Sequence, residues 1–332
     1  MCKKILIVGV GSIGERHLRC FQTTGRCELA ICEPNDELRA TIADRYGISH
    51  SFSEVEAAIA GGTYDGAVIA TPAPHHVRLA TLLANQQCHL LIEKPLSTNF
   101  DGIDVLRQAV ARQSLVAAVG YCQRAHPGLQ ALKAQLDSGR FGRPLQVRFV
   151  LGHPFAHFRP AYRDVYFARR EDGGGAIQDA MTHMYNSVQW LVGPCTRLVT
   201  DATHLALDGV EVEDTVHTLA RHGNVMAAYT LNMYEASNEL MLTVTCEAGT
   251  VQCDFKRVRW SWVSEPAGPW NHQPVELPER DTLYTAQATG FLDSIDGKAR
   301  PLCTLEEGID TLRTNLASLK SSDLGEWQQI DR

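Results

Sequence analysis

The chain has 332 residues, enough for two domains at roughly 100–200 residues each. Its 44% hydrophobic and 21% charged content is that of an ordinary globular chain, which excludes extensive disorder. The formal net charge is -7, from 31 Lys+Arg against 38 Asp+Glu, with no basic block. Nucleic acid is therefore not an expected partner, because phosphate backbones are bound by clustered Lys and Arg.

Nothing approaches the roughly 20 apolar residues of a membrane span. The first apolar run, residues 5–8, falls short of the roughly 7–15 residues of a secretory h-region. The ten cysteines are scattered without a CxxC pair. They read as small core hydrophobes in a cytoplasmic protein rather than as disulfides or a metal site.

From the N-terminus the chain alternates short, wholly apolar runs with helical stretches. Runs at 5–8, 29–32, 67–70, 90–92 and 116–119 are uninterrupted, as in strands buried on both faces of a parallel sheet. Helices are predicted at 13–23, 35–46, 75–85 and 100–113. Strand–helix repetition of this kind implies right-handed crossovers and a doubly wound Rossmann sheet over residues 1–122.

The first strand runs directly into Gly9-Val10-Gly11-Ser12-Ile13-Gly14, which opens the first helix. The glycines serve a tight turn, a close approach of backbone to pyrophosphate, and close helix–strand packing. Amide groups of Gly11, Ser12, Ile13 and Gly14 at a helix N-terminus suit a phosphate. Glu33 follows the second strand, nineteen residues past Gly14, near the ~20 expected for the acid that accepts from an adenine ribose. A carboxylate there would repel a 2′-phosphate, so NAD rather than NADP is the expected cofactor, with Arg39 nearby as a complication. Farther on, Glu93-Lys94-Pro95 closes the fourth buried strand. Ligands of open parallel sheets bind at such carboxyl ends, so Lys94 either faces a cofactor or is a surface lysine in a turn.

After Gly120 the pattern changes. A helix at 128–138 leads to alternating segments at 145–152, 197–207, 215–221, 225–233, 240–247, 251–255 and 258–263, with turns at His222-Gly223-Asn224 and Ala248-Gly249. Period-two runs with short links describe a mixed, mostly antiparallel open sheet with one buried face. Helices at 284–294 and 305–319 close a second domain, 123–332. Within it, Gly173-Gly174-Gly175 opens a helix carrying Asp179 and His183 four residues apart. Ile177, Met181, Met184, Val188 and Leu191 form its apolar stripe, so by pattern alone the opposite side is either a solvated face or a functional one.

Taken together these segments resemble the Gfo/Idh/MocA family of NAD(P)-dependent oxidoreductases. The resemblance runs through the GxGxxG loop, Thr71-Pro72 with His76, Glu93-Lys94-Pro95, Gly120-Tyr121-Cys122-Gln123-Arg124 with Pro127, and the Asp179…His183 helix. Ala73 stands where an Asn usually follows Thr-Pro, and Asn186 where many members carry Asp. The resemblance implies that Gly9, Gly11, Ser12, Ile13, Gly14, Glu33, Thr71, Pro72, His76, Glu93, Lys94 and Gln123 line the NAD site. It implies that Lys94, Asp179 and His183 are catalytic, and that the second domain binds substrate and builds a homo-oligomer, a dimer or tetramer, through its open sheet.

The expected reaction moves a hydride between nicotinamide and a hydroxyl or keto carbon of a sugar, cyclitol or sugar derivative. His183 would act on the hydroxyl proton, Lys94 would stabilise the alkoxide and Asp179 would orient His183 or the substrate. Alternatives on the same scaffold are a redox-neutral NAD-dependent glycosidase and a non-catalytic ligand sensor. The segment 153–163, rich in aromatic and hydrogen-bonding groups, supplies His153, Tyr162 and Arg163 as substrate contacts. Arg124, Asp179 and His183 join them. His153 and His157 lack a third ligand nearby, so no metal is expected.

Overall fold

The computed structural model describes residues 2–276 and 279–331. It contains two compact units, Met1–Cys122 with Glu279–Gly308, and Gln123–Pro278 with Ile309–Arg332.

The first unit holds six parallel strands: β1 (Lys3–Val8), β2 (Cys27–Cys32), β3 (His50–Phe52), β4 (Gly66–Ile69), β5 (His89–Ile92) and β6 (Ala117–Val119). Their order is β3-β2-β1-β4-β5-β6, the Rossmann arrangement. The central strands lie buried on both faces, which explains their unbroken Val, Ile and Leu content. Between the strands run α1 (Ser12–Thr23), α2 (Asp36–Tyr46), α3 (Val55–Gly61), α4 (His76–Asn85) and α5 (Ile103–Arg112). The Asn35 side chain caps α2 by accepting the Leu38 amide hydrogen at 2.9 Å. β3 and α3 are absent from the sequence reading. β3 is three residues long with mostly exposed side chains, so it carries no apolar run to detect.

In the second unit, α6 (Pro127–Asp137) precedes β7 (Pro144–Gly152), followed by the single turn α7 (Phe155–Phe158) and then α8 (Thr182–Val192). Next come β8 (Arg197–Thr203), β9 (Thr215–His222), β10 (Val225–Asn232), β11 (Leu240–Cys246), β12 (Gly249–Asp254), β13 (Arg259–Val263) and β14 (Asn271–Pro274). The chain closes with α9 (Thr282–Ile295), α10 (Leu305–Leu324) and the two-residue β15 (Gln328–Gln329). The sheet order is β14-β13-β12-β11-β7-β10-β9-β8-β15, antiparallel throughout except for the β7–β10 pair. Inward-facing Val147, Phe149, Val216, Ala220, Tyr229, Leu242 and Val244 pack in one core with Leu129 and Leu132 of α6 and Met184, Tyr185 and Val188 of α8. β8 ends at Thr203 rather than 207, because the buried Asp214 carboxylate gathers the amide hydrogens of Leu205, Ala206 and Leu207 into a turn at 2.8–2.9 Å. β14 is fully exposed and polar, so no alternation announces it.

The division of the second half differs from the expected single domain 123–332. Helix α9 belongs to the first unit, where Ala288, Phe291 and Leu292 enter the core formed by Ile5, Ile7, Leu18 and Phe21. Arg26 pairs there with Asp293 at 2.8 Å, and Arg19 with Asp281 at 2.5 Å. An amphipathic helix declares its apolar face but not which core covers it. That assignment is tertiary.

Candidate active site

The glycine loop between β1 and α1 is shaped by contacts that only glycine permits. Gly9 sits at φ +83°, and a Cβ there would lie 2.8 Å from the Ala70 carbonyl oxygen. A Cβ at Gly14 would strike the Gly9 carbonyl, so α1 docks directly on the loop. Above Gly11 there is open space, and no side chain caps α1, whose first amides stay available to an anion. These features fit a dinucleotide pyrophosphate.

Glu33, at the carboxyl end of β2, accepts the Val10 amide hydrogen on Oε2 at 3.0 Å and the Asn35 amide hydrogen on Oε1 at 3.1 Å. Its carboxylate therefore stands beside the glycine loop. Arg39 donates to the Glu33 carbonyl at 2.7 Å and to Asp36 at 2.6 Å, so its guanidinium is engaged locally.

Thr71 is half-buried and Pro72 exposed. His76 is buried; its ring nitrogens face the carbonyls of Thr71 at 2.7 Å and Pro95 at 3.0 Å. Burial pushes its pKa down, against the pull of those carbonyls and of Glu93. The side chain thus joins the 71–73 turn to the Lys94–Pro95 segment rather than facing outward. Lys94 is half-buried at the end of β5, beside the buried Glu93. Tyr284 of α9, which the sequence did not single out, lies under the Arg16 guanidinium at 5.0 Å. Burial raises its phenol well above the ordinary range.

In the second unit the glycine-led helix begins with a π-helical turn, Ile177–Met181, continuing into α8. Wider turns of this kind recur at functional sites, and here the turn changes the angular offset between Asp179 and His183 from that of a regular α-helix. A Cβ at Gly174 would meet the carbonyl oxygens of Tyr166, Phe167 and Arg169. At Gly175, φ +83°, it would meet the Glu213 carboxyl group. Glu213 accepts the Ile177 amide hydrogen at 2.9 Å, fixing the helix start, and burial raises its pKa.

Asp179 and His183 are both half-buried. Tyr166 donates its hydroxyl hydrogen to Asp179 Oδ1 at 2.6 Å. Asn186 is not solvated: its Oδ1 accepts from Arg124 Nε at 2.7 Å and its Nδ2 donates to Thr311 at 2.9 Å. The side of the helix opposite the apolar stripe is therefore a hydrogen-bonded seam.

Three expected substrate contacts have other engagements. Arg124 is only 2% exposed and braces α8 through Asn186 and the face of Trp190 at 5.5 Å. Tyr162 is equally buried, and its hydroxyl donates to the Asp208 carbonyl at 2.6 Å. Arg163 donates to the same carbonyl at 2.7 Å while covering the Tyr162 ring. The last two pin the 155–172 segment to the 208–209 turn. His153 is half-buried, stacked on Phe158 at 5.2 Å, with Nδ1 3.2 Å from Asn238 Oδ1. Gln123 opens the second unit, its carbonyl accepting the His126 amide hydrogen. Among the described residues no group of three His, Cys, Asp or Glu is placed to hold a metal ion.

Sequence reasoning missed His17, Tyr166, Glu213 and Tyr284. Only His17 had a signal, a polar residue on the buried stripe Gly14, His17, Leu18, Phe21 of α1.

A Rossmann sheet whose first strand runs into a tight glycine loop with a carboxylate beside it has the layout of a dinucleotide-binding protein, here in a chain whose second unit has a mixed sheet and a glycine-led Asp/His helix. Residues 3–121 match the family model for the oxidoreductase family with an NAD-binding Rossmann fold, and residues 129–252 match that for the GFO/IDH/MocA C-terminal domain. The chain belongs to the Gfo/Idh/MocA family of NAD-binding oxidoreductases. It is 24% identical to a 1,5-anhydro-D-fructose reductase of Ensifer adhaerens over 98% of both chains. To an inositol 2-dehydrogenase of Acidothermus cellulolyticus it is 29% identical over 57% of this chain and 53% of the relative. Among solved structures, the WlbA dehydrogenase from Bordetella pertussis in complex with NADH and UDP-GlcNAcA superposes with a TM-score of 0.87 at 23% identity, over 100% of this chain and 98% of that one. A levoglucosan dehydrogenase in complex with NADH and levoglucosan gives 0.89 at 18% identity over the whole of both chains. At these identities the structures show the shared fold.

Proposed function

We propose that the protein is an NAD-dependent dehydrogenase or reductase acting on a secondary hydroxyl or keto carbon of a sugar, cyclitol or sugar derivative. The observation that carries this reading is the braced Asp179…His183 helix in a chain whose first unit is an NAD-binding oxidoreductase domain. The names of its relatives, acting on anhydrofructose, inositol and levoglucosan, indicate the substrate class.

The 9–14 loop, Glu33, the 71–76 turn, Lys94 and Gln123 would hold NAD, which would supply hydride-transfer chemistry. His183 removes the hydroxyl proton in the oxidative direction; an imidazole has an ordinary pKa of about 6.5, close to working pH. Lys94 holds a fixed positive charge against the developing alkoxide, a role worth about 3 kcal/mol where water is sparse. Asp179, its carboxylate already receiving the Tyr166 hydroxyl, orients the histidine or a substrate hydroxyl. His153 remains a substrate contact in this reading, while Arg124, Tyr162 and Arg163 support the surrounding backbone.

Leu219 and Met226 are 56% and 50% exposed on the sheet face opposite α8, which supports a homo-oligomer built through that face. No helix among the described residues is long and apolar enough to cross a membrane, and the ten free cysteines suit a reducing cytoplasm.

The test mixes purified protein with NAD+ and a panel of sugars, sugar acids and inositols while absorbance is followed at the NADH band. Growth with one or a few polyols is expected and names the substrate. Silence across the panel in both reaction directions overturns the reading.

A further inference from the structure

Beside Lys94 lies a buried polar pair whose members come from separate parts of the dinucleotide-binding unit. His17, three residues past Gly14 on α1, has no exposed surface, and Glu93 is 5% exposed. His17 Nε2 lies 2.6 Å from Glu93 Oε1. An ionised carboxylate only accepts, so Nε2 carries the hydrogen and the histidine donates. The second oxygen, Oε2, accepts the Lys94 main-chain hydrogen at 3.0 Å. One carboxylate thus spans from helix α1 to the peptide of the lysine.

The surroundings hold Glu93 in place. Its own amide hydrogen goes to the Ile69 carbonyl at 2.9 Å. Gly120 faces it without a side chain, and a Cβ there would lie 2.7 Å from Oε1. The Tyr284 ring meets the His17 ring edge-on, with centroids 5.5 Å apart. Burial works against the charged carboxyl group. The His17 hydrogen bond, the charges of His17 and Lys94, and the Lys94 amide together hold its pKa below the ordinary carboxylate range.

An apolar pair of similar volume would fill this space without the desolvation that a buried carboxylate entails. Stability alone therefore does not account for it. What the polar pair provides is direction, because its two oxygens fix two partners at set positions. One is on the helix whose N-terminus takes the pyrophosphate, and the other is the peptide that aims Lys94.

We propose that His17 is a positioning residue for Lys94, acting through Glu93 to lock the lysine's backbone to the phosphate-binding helix. The inference rests on the reading of Lys94 as the group that stabilises the alkoxide. Only the Nε2 edge of His17 is used, since its buried Nδ1 makes no hydrogen bond. Glutamine places an amide N–H near the Nε2 position, whereas the shorter asparagine does not.

The experiment compares His17→Gln, His17→Asn, His17→Leu, Lys94→Met and the double variant His17→Leu/Lys94→Met in the full chain. Turnover is measured with the most active polyol of the panel at saturating NAD+, and NADH binding by fluorescence. His17→Leu should lower kcat by about tenfold or more, as loss of fixed geometry does, with NADH affinity nearly unchanged. His17→Gln should recover most of that rate and His17→Asn should not. In the Lys94→Met background His17→Leu should add little, because both changes remove one function.

Losses that multiply in the double variant, or kcat equal in the Gln and Asn variants, overturn the proposal. Should His17→Leu fail to fold, the Gln–Asn comparison decides alone. If Lys94→Met itself keeps wild-type kcat, the reading of Lys94 fails, and this is seen separately from any effect at His17.

Discussion

Tyr166 donates its phenolic hydrogen to Asp179 Oδ1 over 2.6 Å, although the two residues stand on different short elements of the second unit. A hydrogen bond to a carboxylate contributes about 1.5–3 kcal/mol. Tyr166→Phe keeps the ring and removes this donor from Asp179. We expect kcat/KM for the polyol to fall by about tenfold, with NADH affinity unchanged. Unaltered kcat/KM would show that Asp179 is oriented without the tyrosine.

The roles assigned to Lys94 and His183 separate by what each variant loses. His183→Ala removes the proton acceptor, and kcat should drop by about a hundredfold or more, while KM changes little. Lys94→Met keeps most of the aliphatic stem but removes the charge, and should also act on kcat. A rise in KM with kcat retained, in either variant, would move that residue from chemistry to binding. Stopped-flow measurement of NADH formation checks both.

In the proposed reading Glu33 sets cofactor choice through charge. Its carboxylate stands beside the glycine loop, with Val10 donating to it, and the nearby Arg39 is held by Asp36 and the Glu33 carbonyl. Repulsion between a carboxylate and a 2′-phosphate is about 1 kcal/mol in water-like surroundings. Wild-type enzyme should favour NAD, and Glu33→Ala should shift the ratio of kcat/KM toward NADP by about fivefold or more. A wild-type preference for NADP would remove Glu33 from the ribose.

What the sequence disclosed, and what it concealed, divides along a physical line. Gly9 and Gly14 were legible because a backbone needing positive φ or close approach admits few residue types. The buried parallel strands were legible because burial on both faces enforces unbroken apolar runs. For Arg124, Tyr162 and Arg163 composition does not reveal whether a polar group is already engaged inside the protein; here Asn186 and the Asp208 carbonyl engage them. Glu213 and Tyr166 stayed hidden because their contacts with the Asp179…His183 helix exist only after the chain has folded. Helix α9 shows the same limit at a larger scale.

The second unit carries an acid-sensitive element in two buried histidines. His222 donates from Nδ1 to the Gly193 carbonyl at 2.8 Å and accepts the Tyr229 hydroxyl hydrogen on Nε2 at 2.8 Å, an arrangement only the neutral ring satisfies. His126 accepts the Gly128 amide hydrogen on Nδ1 at 3.1 Å, capping α6. Burial lowers both pKa values from 6.5 to about 4. Between those limits the unfolded chain binds protons that the folded chain does not. The stabilisation is therefore complete above pH 6.5 and is lost as pH falls toward 4. At 1.36 kcal/mol per unit, each histidine accounts for about 3 kcal/mol across that window. Urea unfolding followed by tryptophan fluorescence should show stability falling steeply from pH 6.5 to 4.5. His222→Gln keeps a donor and an acceptor but does not titrate, and should flatten that slope while costing some stability at pH 7. An unchanged slope in the variant would mean that His222 is already protonated in the folded state, contrary to its hydrogen bond from Tyr229.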